Sequence, residues 1–184
     1  MKKTFSIILI TLVSVASSLF AEESKIIKRI LEGKENAKIT IITYESLTCG
    51  HCADFHKNVY PDLKKDFIDK GLVKIEFRHF PLDIAAFNAS KIGQCNNDGN
   101  PKILNILYSG QKKWARGKTP EEATKYLKKF IEDENIKVDF EKCLDNKAIE
   151  DFVLNDRIEG VKKFKVNATP TIIINDKKFE KALN

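Results

Sequence analysis

Cys49-Gly50-His51-Cys52 stands between two apolar patterns of different period, and that position limits what the chain can fold into. Upstream, Ile39, Ile41, Ile42 and Tyr44 form a short apolar run that reads as a buried strand. Downstream, Phe55, Val59, Leu63 and Phe67 recur every four residues, which places them on one helix face. The first thiol therefore lies where a strand hands over to a helix N-terminus. Unpaired backbone N–H groups and the helix dipole there favour an anion, so a thiolate at Cys49 is stabilised. Such a thiol ionises below the free value of about 8.5 and exchanges disulfides near neutral pH. C-x-x-C beside a βαβ pattern reads as a redox pair.

A zinc site needs four ligands, usually from a second C-x-x-C or H-x-H pair. Cys95 and Cys143 stand alone, and His56 and His79 show no ligand spacing. The pattern calls for no metal and no cofactor. His56 and His79 read as surface and packing residues. A metal-binding or holdase module, with the cysteines as ligands and the helices as an apolar surface, is the alternative outside enzymology.

Residues 1–21 look like a secretory signal. Lys2 and Lys3 form the basic start, Phe5 to Phe20 is apolar with scattered Ser and Thr, and Leu19-Phe20-Ala21 ends in a small residue. The apolar stretch is short for a membrane span, which needs ~18 residues or more. An uncleaved N-terminal anchor is the other reading, and both put the rest of the chain outside the cytoplasm. Disulfides are tolerated there, so the four cysteines can form two pairs. The net charge of +6 falls to about +4 without the signal's two lysines. Lys and Glu alternate along most helices as on a solvated surface, with no aromatic-spaced basic stripe to suggest nucleic acid.

Ser24–Gly33 carries Ile26, Ile27, Ile30 and Leu31 at helical spacing. A strand over Lys38–Tyr44, the Cys49 helix ending at Gly71 and a strand over Leu72–Phe80 form a parallel βαβ unit. Pro61 should kink that helix. Residues 83–147 read as helical throughout. Asp83, Thr119 and Asp139 serve as caps, and Ala123, Tyr126, Leu127, Phe130 and Ile131 form one buried face. A longer helix follows, with Ile149, Phe152, Val153 and Val161 as apolar contacts. Thr171 to Ile174 is a buried strand entered through Pro170, Asn175-Asp176 is a turn, and Lys177–Lys181 is a returning strand. Proline heading a central strand implies a special position, which a cis Thr169–Pro170 peptide would explain.

In combination, three motifs resemble the DsbA-like thiol:disulfide oxidoreductases, a thioredoxin fold with an inserted all-helical subdomain. They are Tyr44-Glu45-Ser46-Leu47-Thr48-Cys49-Gly50-His51-Cys52, then Arg78-His79-Phe80-Pro81-Leu82, then Asn167-Ala168-Thr169-Pro170-Thr171. The resemblance implies a signal at 1–21, thioredoxin-like parts at 22–82 and 148–184, and a helical insertion at 83–147. It implies that Cys49 attacks, that Cys52 resolves, and that a cis-proline loop of Thr169 and Pro170 faces them. His51 would favour the Cys49 thiolate. The even cysteine count adds a structural disulfide between Cys95 and Cys143, with two buried free thiols as the alternative. The implied role is periplasmic, as a monomer that oxidises reduced exported proteins and is recharged by a quinone-linked membrane thiol oxidase. An isomerase or reductase kept reduced by a membrane partner is the rival enzyme class, which the Gly-His pair allows.

Two departures stand out. A buried carboxylate often occurs six residues before the first cysteine in this fold. Here Thr43 occupies that position, and Glu45 lies two residues further on, on the same side of an ideal strand. Members also usually end in a helix after the hairpin, for which this sequence leaves no room before Asn184, so Ser24–Gly33 is expected to cover part of the sheet.

Overall fold

The strand before the cysteines forms β2 (Ile39–Glu45), and the helix after them opens with α1 (Gly50–Asp54). These come from a computed structural model that describes residues 26–180. The expected signal at 1–21 and the last four positions lie outside the described residues. After α1 the helix continues as a π-turn (Phe55–Val59), α2 (Tyr60–Leu63) and a second π-turn (Lys64–Ile68). Pro61 was expected to kink this run. Proline lacks an N–H and crowds the carbonyl four residues back, and the wider turns on either side take up that mismatch. They also shift the helix face. Phe55 is buried as expected, but Phe67 is exposed and Ile68 enters the core in its place.

β3 (Val73–His79) pairs in parallel with β2, Ile41 opposite Ile75, as a helical crossover requires. Its other edge receives β1 (Ile30–Glu32), antiparallel, with Ile30 opposite Phe77. The helix expected over Ser24–Gly33 is therefore absent from the described part of that segment. Residues 26–29 have no regular structure, Ile30 is buried and Leu31 is exposed. A short apolar run does not fix its own period. Here an open sheet edge claims its backbone donors and acceptors. The segment extends the sheet instead of covering it.

α3 (Ile84–Gln94) begins where Asp83 accepts a hydrogen bond from the Ala86 N–H. α4 (Lys102–Ser109) and the one-turn α5 (Gln111–Trp114) follow. Thr119 caps α6 (Pro120–Asp133), and Asp139 caps α7 (Phe140–Asp145). On α6, Ala123, Leu127, Phe130 and Ile131 are buried, while Tyr126 is only half-buried beneath the Arg116 guanidinium. A disulfide joins Cys95 to Cys143, with Cα atoms 5.5 Å apart.

α8 (Lys147–Phe164) returns to the sheet. Ile149 and Val153 are buried, but Val161 is exposed because Gly160 is the residue turned inward, against Tyr44. A Cβ on Gly160 would lie 2.7 Å from the Tyr44 ring, so only glycine allows this approach. β4 (Thr171–Ile174) pairs antiparallel with β2, and β5 (Lys177–Lys178) closes the order β1-β3-β2-β4-β5. Asn175 and Asp176 both have positive φ, 46° and 64°, as a two-residue hairpin of this twist demands. Ile41, Ile75 and Ile172 face the helices of the cysteine side. Ile42, Tyr44 and Ile173 face Phe80, Phe164 and Val166 on the other. The second face is thus covered by α8.

Candidate functional site

Cys49 is the N-cap of α1, with extended backbone, and its side chain is half-buried. Its sulfur lies 3.2 Å from the Thr169 carbonyl oxygen. The Thr169–Pro170 peptide is cis. The Cys49 thiol is held down to about 5. The main cause is a hydrogen bond from the Cys52 thiol, opposed by burial and reinforced by Thr169 and by the backbone N–H groups of Cys52 and His51. The second cysteine is its opposite. Cys52 is fully buried, and burial pushes its thiol far up, helped by the bond it gives Cys49 and by the charge of Glu45. One sulfur is an accessible anion and the other a sequestered acid.

Of the residues picked out in the sequence, Cys49, Cys52, Thr169 and Pro170 meet at this point. His51 is exposed, and it reaches the Cys49 sulfur through its backbone N–H. Cys95, the C-cap of α3, and Cys143, on α7, lie apart from this point.

His56 is not a surface residue. Its side chain is 4% exposed, its Nε2 lies 2.7 Å from Glu45 Oε2 and its ring stacks on Tyr108 at 4.0 Å. Its Nδ1 lies 3.1 Å from Asn105 Oδ1. The π-turn that holds His56 is what turns it inward. The two ring nitrogens of His56 thus meet Glu45 on one side and Asn105 on the other. The other Glu45 oxygen, Oε1, is buried without a hydrogen-bond partner among the described residues. The β2 alternation supplied a signal, since Thr43 and Glu45 share the face of Ile41. For His56 the sequence carried none. His79 is buried as a packing residue, its Nε2 3.3 Å from Gln94 Oε1. His56, Asn105 and Tyr108 also line a cavity of about 590 Å3 between α1 and α4.

A buried acidic pair behind one accessible thiolate and a cis-proline loop is a thiol-exchange geometry. The thioredoxin family profile matches residues 25–184. The chain belongs to the thioredoxin family. Within that family its similarity is to DsbA-type proteins, as the motifs implied. It superimposes on Wolbachia pipientis alpha-DsbA1 with TM-score 0.71 and 31% identity, covering 85% of this chain and 81% of that one. Against oxidised BdbD of Bacillus subtilis the TM-score is 0.64 at 25% identity, over 83% and 84% of the two chains. Disulfide bond formation protein D of Bacillus subtilis is 27% identical over 79% of this chain and 67% of its own. A Rickettsia prowazekii relative, named a protein-disulfide oxidoreductase, is 33% identical over 45% of this chain. That match spans about a third, 31%, of the Rickettsia protein. Among the described residues of this thioredoxin-family chain, no helix is long and apolar enough to cross a membrane.

Proposed function

We propose that this chain is a thiol:disulfide oxidoreductase that donates a Cys49–Cys52 disulfide to reduced exported proteins. The observation that carries the reading is the contrast between the two sulfurs, one held as a thiolate at about 5 and one buried and held protonated. A thiolate this stable is a good leaving group, so its disulfide is an oxidant.

A substrate thiolate attacks the Cys49 sulfur of the disulfide. The S–S bond breaks, Cys52 leaves with the electron pair and takes up a proton, and a mixed disulfide joins substrate to Cys49. A second substrate thiolate attacks the substrate sulfur of that bond, and Cys49 leaves as thiolate. The substrate has lost two electrons and gained a disulfide, and the enzyme holds a dithiol. Glu45 is the group placed to supply or accept the Cys52 proton. Thr169 and Pro170 offer backbone groups to an extended substrate segment.

The reading extends to a periplasmic monomer released by cleavage after residue 21 and reoxidised by a quinone-linked membrane thiol oxidase. Its parts are a thioredoxin core from 22–82 and 148–184 with an insertion at 83–147. The relatives named for disulfide bond formation support the oxidoreductase reading itself. Oxidised enzyme mixed with a reduced, unfolded two-cysteine protein should give substrate disulfide in a one-to-one burst. Cys49→Ala should abolish it, and reduced Cys52→Ala given the oxidised, disulfide-bonded substrate should accumulate mixed disulfide, because its Cys49 thiolate opens that disulfide and no second thiol of its own can release it. Activity surviving Cys49→Ala would refute the reading.

A further inference from the structure

The inserted helices touch the nucleophile itself. α5 is a single turn, yet it is firmly anchored. Trp114 is fully buried and its indole N–H donates to the Leu107 carbonyl at 2.8 Å. Gly110, just before the turn, lies so close to Phe130 that a Cβ there would come 2.1 Å from the ring. These two fix the residue between them. Gln111 is buried, 8% exposed, and its Nε2 points back to the cysteine loop. It donates to the Leu47 carbonyl at 2.8 Å and to the Cys49 carbonyl at 2.9 Å. A carboxamide nitrogen has two hydrogens, and both are used.

The geometry has an electrostatic consequence. The Cys49 carbonyl also accepts the Ala53 N–H at 3.2 Å, the first bond of α1. Its orientation therefore sets how the α1 N-terminus meets the sulfur. The Leu47 carbonyl lies on the approach to it. Without Gln111 the Leu47 carbonyl would lose that donor and the Cys49 carbonyl would keep only the Ala53 N–H, turning more partial negative charge on a site that must hold an anion. Glutamate cannot donate at neutral pH, and leucine has the volume without the hydrogens.

We propose that Gln111 is a positioning residue for Cys49, through which the helical insertion holds the nucleophile against the His51 and Cys52 N–H groups. This rests on the reading of Cys49 as the sulfur that exchanges with substrate. Gln111 touches neither sulfur nor substrate. Its effect is on where the thiolate sits and how far it is stabilised.

The test is the thiolate titration of Cys49 by ultraviolet absorbance in the full protein, in wild type, Gln111→Leu and Gln111→Glu, with the glutathione equilibrium measured alongside. Gln111→Leu should move the midpoint upward by about one pH unit, a tenfold fall in the ionisation constant of Cys49, and make the protein about a tenfold weaker oxidant. Gln111→Glu should move it further. A variant that melts earlier but titrates like wild type would show that Gln111 only packs, and would overturn the proposal. Should Gln111→Leu not fold, the wild-type side-chain amide decides. Its two proton resonances should exchange slowly and follow the Cys49 titration, and resonances blind to that titration would overturn it. Failure of the underlying reading shows separately, as oxidase activity surviving Cys49→Ala, and would remove this inference with it.

Discussion

Glu45 Oε2 and His56 Nε2 meet at 2.7 Å inside the protein, each side chain 4% exposed. A nitrogen and an oxygen this close hold a proton between them. The pair stands within electrostatic reach of Cys52 and Tyr108, and Glu45 also faces His79 across the β2–β3 ladder. In the proposed reaction it is the store for the proton that Cys52 gains and loses.

Glu45→Gln keeps the shape and a hydrogen bond to His56 but cannot carry that proton. Resolution of a mixed disulfide by Cys52 near neutral pH should slow by more than tenfold, toward the roughly 10²-fold lower end of what general acid–base catalysis contributes. The check is a pH–rate profile of resolution in both proteins. An unchanged profile would remove Glu45 from the mechanism.

This pair also marks where the sequence was legible. The C-x-x-C at a strand-to-helix junction, the βαβ unit, the caps at Asp83, Thr119 and Asp139, and the proline loop could all be read, because each rests on local chemistry. The alternation of β2 put Glu45 on the right face. What failed was non-local. His56 is turned inward by a π-turn that no four-residue periodicity encodes, and the same turns put Phe67 outside. Ile30 joined a strand because β3 had an open edge, which the segment itself cannot report. Gln111 reaches across 62 residues to Cys49, and nothing in its neighbourhood announces it.

The Cys95–Cys143 disulfide closes a loop of 48 residues within the helical insertion. On chain entropy alone its removal should cost about 4 kcal/mol, an upper figure because the unfolded chain keeps some structure. Cys95→Ala with Cys143→Ala should lower the urea midpoint while leaving the Cys49 titration where it was. Free thiols found at both positions in the oxidised, denatured protein would contradict the pairing.

Arg29, just before β1, donates to the carboxylate of Asp156, which is 1% exposed and also accepts the His79 backbone N–H at 3.1 Å. Breaking a buried pair typically costs 3–5 kcal/mol, and Arg29 is a third exposed, so solvent relieves part of that. Arg29→Met should therefore destabilise by about 2 kcal/mol in urea unfolding. The double variant with Asp156→Asn should recover a share of the loss. Full stability in Arg29→Met would mean that this end of the chain is only a tether.

The division of labour between the two sulfurs is tested most directly by alkylating the reduced protein across pH and locating the label by mass spectrometry. The rate at Cys49 should rise through a midpoint near 5 and then level off, since only the thiolate reacts and it is fully formed above that pH. Cys52 should stay unlabelled across the same range, buried and protonated. A midpoint near the ordinary thiol value of about 8.5, or label appearing first on Cys52, would contradict the account.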